Sequence, residues 1–87
     1  MANQFDLTII TPKETIYQGK AESLVLPSEN GYLGVLANHA PLMANVVKGE
    51  IALIVDRNQE TLNFQIKATG FIEVYDNKVT LLLNETS

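Results

Sequence analysis

The sequence predicts an all-β fold, a single small β-sandwich of about ten short strands over residues 1–87. Three observations support this prediction. Apolar and polar residues alternate along short runs, which is the pattern of strands with one buried face. Turn-forming residues separate the runs at intervals of about 8–12 residues, a spacing typical of sandwiches and small barrels. Every window of a dozen residues with apolar positions at helical spacing contains a glycine or a proline.

The first half of the chain contains three predicted strands. Residues 5–9 alternate apolar and polar side chains, and the turn-forming residues 11–14 follow them. Residues 16–19 form a short strand that ends at a glycine. Residues 24–26 are a continuous apolar run, which Pro27 and the polar residues after it are expected to close.

The second half contains a predicted strand at 43–47 and two predicted hairpins. The hairpins join strand 51–55 to strand 62–66 through the turn 56–59, and strand 71–75 to strand 79–83 through the turn 76–78. Both turns are rich in Asp and Asn, which favour chain reversal because their short side chains bond to the nearby backbone.

Four apolar residues lie on the opposite side of their strands from the main apolar set, namely Ile10, Val25, Ile54 and Leu82. A sandwich that is alone in solution keeps its outer faces polar. Two interpretations stay open. Either the strands bend, switch sheets or lie under loops at these residues, or part of an outer face packs on another protein.

Composition excludes several classes of function. The chain has no cysteine, so disulfides and thiolate zinc sites are impossible. Its net charge is −4 and it has no basic run, which argues against a nucleic-acid partner. Its N-terminal residues lack the features of a signal peptide, and its apolar runs are too short to span a bilayer. We therefore expect membrane association only through a protein partner, without direct insertion.

No constellation of residues predicts catalysis, a cofactor or a metal site. Nucleophilic catalysis would have to use His39, the only histidine, with a serine, and no serine lies in a G-x-S-x-G turn. His39 also lacks other ligands at the spacing of a metal site, so we expect it to have a structural or interface role. The pair Gly31 and Gly34 lacks the lysine and the following helix of a phosphate-binding loop.

A free-standing β-sandwich that binds a ligand such as carbohydrate is the alternative function that the residues allow. A carbohydrate platform needs exposed aromatic rings. All three phenylalanines fall on strand positions that suit a core. The remaining candidates are the three tyrosines, Tyr17, Tyr32 and Tyr75.

The segment from Gly31 to Leu42 is the candidate functional region. It places two glycines, the only histidine and Pro41 among apolar residues, and we expect it to form a stiff loop. Glycines three residues apart suit a tight reversal, and Pro41 holds the preceding residue extended. Stiff loops with apolar tips on small domains usually bind a partner. The side chains expected to project outward are Tyr32, Leu36, Asn38 and His39.

Several segments, in order and at matching spacing, carry a resemblance to a known family. Residues 31–42 contain the pattern G-x-L-G-x-x-x-x-H-A-P-L, and residues 17–19 contain an aromatic-x-Gly step. Residues 70–74 and 77–82 contain the patterns G-F-x-E-V and N-x-V-T-x-L, and residues 5–12 look like the family's first strand and turn. Together these segments resemble the ε subunit of F-type ATP synthases, called δ in mitochondria.

The resemblance implies a flattened β-sandwich that sits on the foot of the γ subunit and against the polar loops of the c-ring. Such a subunit is non-catalytic and couples proton flow through the ring to ATP synthesis by the head. The positions that the resemblance assigns to contacts with the c-ring and γ are Gly31, Tyr32, Leu33, Gly34, His39, Pro41 and Leu42. Relatives often have an acidic residue at position 32, which could form an ionic contact with a partner. Because this chain has Tyr32 there, the resemblance does not imply that contact.

The resemblance also suggests a partner for the apolar residues that lie on the opposite side of their strands from the main apolar set. We interpret Ile10, Ile54 and Leu82 as part of an outer face that docks on γ. Most bacterial and chloroplast relatives continue into a C-terminal helical hairpin that inhibits ATP hydrolysis and in some binds ATP. This sequence ends before that region, so we expect no ATP binding. The implied location is peripheral, on the cytoplasmic side of a bacterial inner membrane or alternatively on a thylakoid membrane.

Overall fold

The computed structural model describes residues 3–55, 61–67 and 69–84, which form nine strands. In chain order they are β1 (Phe5–Ile10), β2 (Thr15–Ala21), β3 (Ser23–Ser28), β4 (Gly31–Leu36), β5 (Leu42–Val46), β6 (Gly49–Ile54), β7 (Thr61–Ile66), β8 (Gly70–Tyr75) and β9 (Lys78–Leu83). The all-β prediction is confirmed. In these three ranges no helix is long and apolar enough to cross a membrane.

The strands form one curled sheet in the order β2-β1-β9-β8-β5-β3-β6-β7, with β4 also paired to β3. Pairing is antiparallel except between β1 and β9, which are parallel. β3 and β5 meet at a single register pair, Ser28 and Val46, and the sheet folds over there into two layers. One layer is β2-β1-β9-β8-β5 and the other is β4-β3-β6-β7. Ile9 and Ile51 line the same cleft, which places β1 opposite β6.

The core lies between the two layers and is built from alternate residues of the strands. In β1 the buried side chains are those of Phe5, Leu7 and Ile9, and in β9 they are the alternate residues from Val79 to Leu83. Each large apolar side chain that is buried in this way contributes about 1.5–3 kcal/mol to folding. The inward faces predicted for these two strands are confirmed. All fully buried side chains of the described core are apolar.

Two strands differ from the prediction. β3 continues through Pro27, which was expected to end it. Proline has no N–H to donate, but its carbonyl accepts a hydrogen bond of 3.1 Å from the N–H of Val47 and so still takes part in pairing. Residues 31–42 do not form one loop, because residues 31–36 are β4 and pair with β3 along their whole length. The predicted hairpin turn at 56–59 lies outside the described residues.

Phe71 is a further correction, since it lies on an outer face and not in the core. It alternates with the buried residues Ile72 and Val74 along β8, and it pairs with the outward-facing Leu82 of β9. The run from Phe71 to Tyr75 has apolar residues on both sides of the strand. Alternation alone therefore could not decide which side faces the core.

The four apolar residues on the opposite sides of their strands face outward, but on two different layers. Ile10 and Leu82 are register partners on β1 and β9, whereas Val25 and Ile54 lie on β3 and β6 of the other layer. Val25 and Leu82 are 36% and 45% exposed, so burial by bending or loops is wrong for these two. The other two are half-buried and lie outside the core cluster. The expectation that Ile10, Ile54 and Leu82 share one outer face is also wrong.

Candidate partner-binding surface

The segment from Gly31 to Leu42 begins at a tight turn that joins β3 to β4. Glu29 and Asn30 occupy the turn, and the Ser28 hydroxyl donates a hydrogen bond of 2.6 Å to the carbonyl of Gly31. Gly31 has a φ of 115°, a backbone conformation that residues with a Cβ rarely adopt. Gly31 therefore serves a chain reversal, and this reversal lies before the segment rather than within it.

β4 presents every second side chain to the outside. Tyr32 and Leu36 are 67% and 62% exposed, and the apolar residues next to them in the strand face the core. Gly34 lies on the same outer side, in open space where a Cβ would meet no atom within 4 Å. The tight reversal expected at Gly34 is wrong, because Gly34 pairs with Val25 in the middle of a regular ladder.

The β4–β5 loop, residues 37–41, changes direction at Asn38, whose φ is 61°. Asparagine is one of the few non-glycine residues that adopt this left-handed backbone readily. The His39 ring donates a hydrogen bond of 2.7 Å from Nδ1 to the carbonyl of Ala40. Pro41 is exposed and restricts the backbone just before β5. Of the restraints that the sequence led us to expect, Pro41 lies in this five-residue loop, whereas both glycines lie in β4.

A side chain from another hairpin also holds this loop. Asn77 lies in the turn between β8 and β9, and its Oδ1 accepts a hydrogen bond of 2.7 Å from the backbone N–H of Asn38. Its Nδ2 donates a bond of 3.0 Å to the carbonyl of Gln4. Sequence reasoning assigned Asn77 to a turn and a family motif but gave it no role at the site. The bond joins residues 39 positions apart, so no local pattern could have revealed it.

The β4–β5 loop and the β8–β9 turn enclose a shallow groove of about 400 Å³. Its lining residues are Asn38, His39, Ala40, Pro41, Tyr75, Asp76 and Asn77. The Tyr75 side chain is 67% exposed at its edge. Aromatic residues are enriched in protein-contact surfaces, so this groove is a candidate contact surface.

The structure does not bring the seven predicted contact residues into one site. Gly31 and Tyr32 lie at the start of β4, whereas His39 and Pro41 lie beyond its end. A six-residue strand at about 3.3 Å per residue separates the two groups by about 17 Å. Two members of the set pack against the core, Leu33 and Leu42. The assignment of these residues to partner contacts stays a prediction.

The chemistry that these surfaces offer is apolar contact and hydrogen bonding. Asp6 and Lys20 form an ion pair of 2.7 Å on the outer face of β1 and β2, with both side chains more than half exposed. Exposed pairs of this kind contribute about 0–1 kcal/mol to stability.

Across the part of the chain that the structure describes, no three His, Cys, Asp or Glu side chains are grouped so as to hold a metal ion.

Comparisons with known proteins point to one family. Residues 4–86 match the family described as "ATP synthase, Delta/Epsilon chain, beta-sandwich domain". An ATP synthase epsilon chain of Desulfitobacterium hafniense is 40% identical over 82 residues, covering 94% of this chain and 60% of that relative. An ATP synthase epsilon chain of Chlorobaculum tepidum is 43% identical over 84 residues, covering 95% of this chain and 92% of that relative.

A solved structure has the same fold. It is the cryo-EM structure of the Euglena gracilis mitochondrial ATP synthase, OSCP/F1/c-ring in rotational state 1. One of its chains matches with a TM-score of 0.87 at 23% identity, covering 97% of this chain and 52% of that chain. The present chain spans about 60% of the length of the D. hafniense relative. The resemblance drawn from the sequence is confirmed, and the chain belongs to the family of ATP synthase delta/epsilon chain β-sandwich domains.

Proposed function

We propose that this chain is a rotor-stalk component of a proton-translocating F-type ATP synthase. It links the γ subunit to the membrane c-ring and so couples proton flow to ATP synthesis. It catalyses no reaction itself, since the complete enzyme complex is the catalyst.

The observation that carries this proposal is the family match across residues 4–86. The match includes every strand of the sandwich, the β4–β5 loop and the β8–β9 turn. The relatives that extend it are ATP synthase epsilon chains, and the solved neighbour belongs to an assembly that contains F1 and the c-ring.

The geometry suits a part that transmits torque. The first and last described strands, β1 and β9, are hydrogen-bonded side by side as parallel strands of one layer, so the two ends of the sandwich are held together. The core between the layers is apolar and closely packed, and close-packed interiors have low compressibility. We assign the groove at the β4–β5 loop to the c-ring side, and an outer face of the sandwich to γ.

The carbohydrate-binding alternative has less support. Tyr32 and Tyr75 are both exposed but lie on different layers, in β4 and β8. The Tyr17 hydroxyl donates a hydrogen bond of 2.7 Å to the carbonyl of Lys20 and is engaged locally. The three rings therefore do not form one flat platform on which a sugar could stack.

The proposed location is the membrane surface, reached through protein partners. We place the chain on the cytoplasmic side of a bacterial inner membrane, where the F1 head of a bacterial enzyme lies. The relatives from bacteria support this choice, and a chloroplast relative from Tetradesmus obliquus keeps the thylakoid membrane as the alternative.

Deletion and complementation test the proposal directly. The gene is deleted in the organism that encodes it, and a tagged ATP synthase is purified after complementation with the wild-type chain. We expect the chain to copurify and to restore proton-driven ATP synthesis in membrane vesicles. A matched control is Leu81→Asp, which puts a charge into the core and should restore nothing. A purified enzyme without the chain, or synthesis that does not depend on it, would contradict the proposal.

A further inference from the structure

Asn77 joins three segments that are far apart in the sequence. Its side chain accepts a hydrogen bond from the backbone N–H of Asn38 and donates one to the carbonyl of Gln4. Its backbone carbonyl accepts a third bond of 3.2 Å from the N–H of Asp6. The β4–β5 loop, the β8–β9 turn and the start of β1 therefore meet at one residue.

Asparagine meets all the requirements of this position. The turn between β8 and β9 has two central residues, Asp76 and Asn77, with φ values of 52° and 61°, so both need tolerance of left-handed backbone. Position 77 also needs an acceptor for the Asn38 N–H and a donor for the Gln4 carbonyl. Glycine supplies only the backbone conformation, and aspartate adds only the acceptor. The carboxamide of asparagine supplies both hydrogen-bonding groups.

This bond ties the middle of the β4–β5 loop to the β8–β9 turn, between the two strands that fix the ends of the loop. Among the hydrogen bonds of the described ranges, the bond from Asn38 to Asn77 is the one that connects residues 37–41 to another hairpin. The bond from His39 to Ala40 lies within the loop and restrains only its internal shape. The groove has the loop on one side and the turn on the other, so the same bond joins its two sides.

We propose that Asn77 is a positioning residue, which holds the β4–β5 loop in the orientation that contacts the rotor partners. The part of this proposal that concerns contact rests on the proposed function. The part that concerns loop order is a property of the chain alone. Asn77 contributes to partner binding indirectly, by holding the loop, and is not itself the main contact with the partner.

The test compares two substitutions at position 77 with one at its neighbour in the turn. Asn77→Gly keeps the left-handed backbone and removes both side-chain bonds, whereas Asn77→Asp keeps the acceptor for Asn38. The control Asp76→Gly relaxes the same turn without changing the carboxamide. Amide hydrogen exchange is measured by NMR at Asn38, with the buried Leu81 as the internal reference for global stability.

We expect exchange at Asn38, relative to Leu81, to rise about fivefold or more in Asn77→Gly, the effect of losing one hydrogen bond. Asn77→Asp should restore protection to within about twofold, and Asp76→Gly should leave it unchanged. Unchanged exchange at Asn38 in Asn77→Gly, or no rescue by Asn77→Asp, would overturn the positioning role.

Binding to purified γ–c-ring complex is measured with the same variants. We expect a loss of about fivefold or more for Asn77→Gly and recovery for Asn77→Asp. Normal binding by Asn77→Gly despite a loosened loop would overturn the link between loop order and contact. A wild-type chain that does not bind would refute the proposed function, while exchange at Asn38 would still decide whether Asn77 holds the loop.

Discussion

Ile10 and Leu82 are register partners on the parallel strands β1 and β9, and both side chains point away from the core. Phe71 extends this arrangement on β8, where it pairs with Leu82. The three residues form an apolar row across adjacent strands of one layer. Contiguous apolar surface on a small domain often marks a protein contact. The apolar row is therefore the better candidate for the γ-facing surface, and Ile54 lies on the other layer.

Replacing Leu82 with aspartate should weaken binding to γ while the chain stays folded. Leu82 is 45% exposed, so the free energy of unfolding should change by less than about 1 kcal/mol. A charge at the centre of an interface commonly costs a few kcal/mol of binding. Urea titration measures stability, and calorimetry with purified γ measures binding.

The matched control for that change is Ile54→Asp, on the outer face of the other layer. Binding should persist in this variant if γ contacts only the apolar row. Loss of γ binding in Ile54→Asp with normal binding in Leu82→Asp would place γ on the other layer. Unfolding of Leu82→Asp in isolation would show that this side chain belongs to the core.

Replacing Gly70 with alanine should destabilise the fold. A Cβ at this position would overlap the carbonyl oxygen of Leu82 and approach Cδ2 of Leu83 to 2.9 Å. Because the first obstacle is backbone, relief would require a shift of the β8–β9 ladder, and overpacking of this kind costs about 1–3 kcal/mol. Gly34→Ala is the control, since its Cβ would point into open space. Equal urea midpoints for the two variants would contradict the close approach of Gly70 to the β9 backbone.

Changes at His39 and Gly34 should both leave proton-coupled ATP synthesis largely intact. His39→Gln keeps a side-chain donor that can reach nearby backbone carbonyls. Gly34→Val places a β-branched residue in regular strand backbone, where its Cβ would meet no atom within 4 Å. ATP synthesis in vesicles from complemented strains measures both. A severe loss in His39→Gln would show that the imidazole does more than shape the loop.

ATP should not bind to the 87-residue chain at millimolar concentration. Gly34 lies within β4 and Gly31 serves a hairpin turn, so the two glycines do not cradle a phosphate as they would at the start of a helix. NMR titration with ATP checks this expectation. Saturable chemical-shift changes would disprove it.

The sequence predicted inward faces correctly where most of the apolar residues of a strand lie on one side. β1 and β9 are buried at the residues that period two selects. The rule failed at Phe71 because β8 has apolar residues on both sides, and the choice is made by packing against the other layer. The local pattern therefore shows that side chains alternate between the two faces of a strand, while tertiary contacts decide which face is buried.

Tertiary contacts also explain the errors in the candidate site. Residues 31–36 looked like a loop because they contain two glycines, yet β3 supplies a pairing partner along their length. Local propensity does not show such a partner. The bond between Asn38 and Asn77 depends on two turns that meet only in the folded chain. The loop at 37–41 was expected, but the residue that holds it was not.

Site-directed photo-crosslinking in working membrane vesicles tests most directly whether this chain contacts γ and the c-ring. The chain has no cysteine, so single substitutions give unique attachment points for a reagent. We choose His39→Cys in the loop, Leu82→Cys in the apolar row and, as a control, Gln65→Cys on the exposed side of β7. The predicted result is a product with subunit c from position 39, a product with γ from position 82, and neither product from position 65. Products with neither subunit, or equal products from all three positions, would contradict a rotor-stalk role for these surfaces.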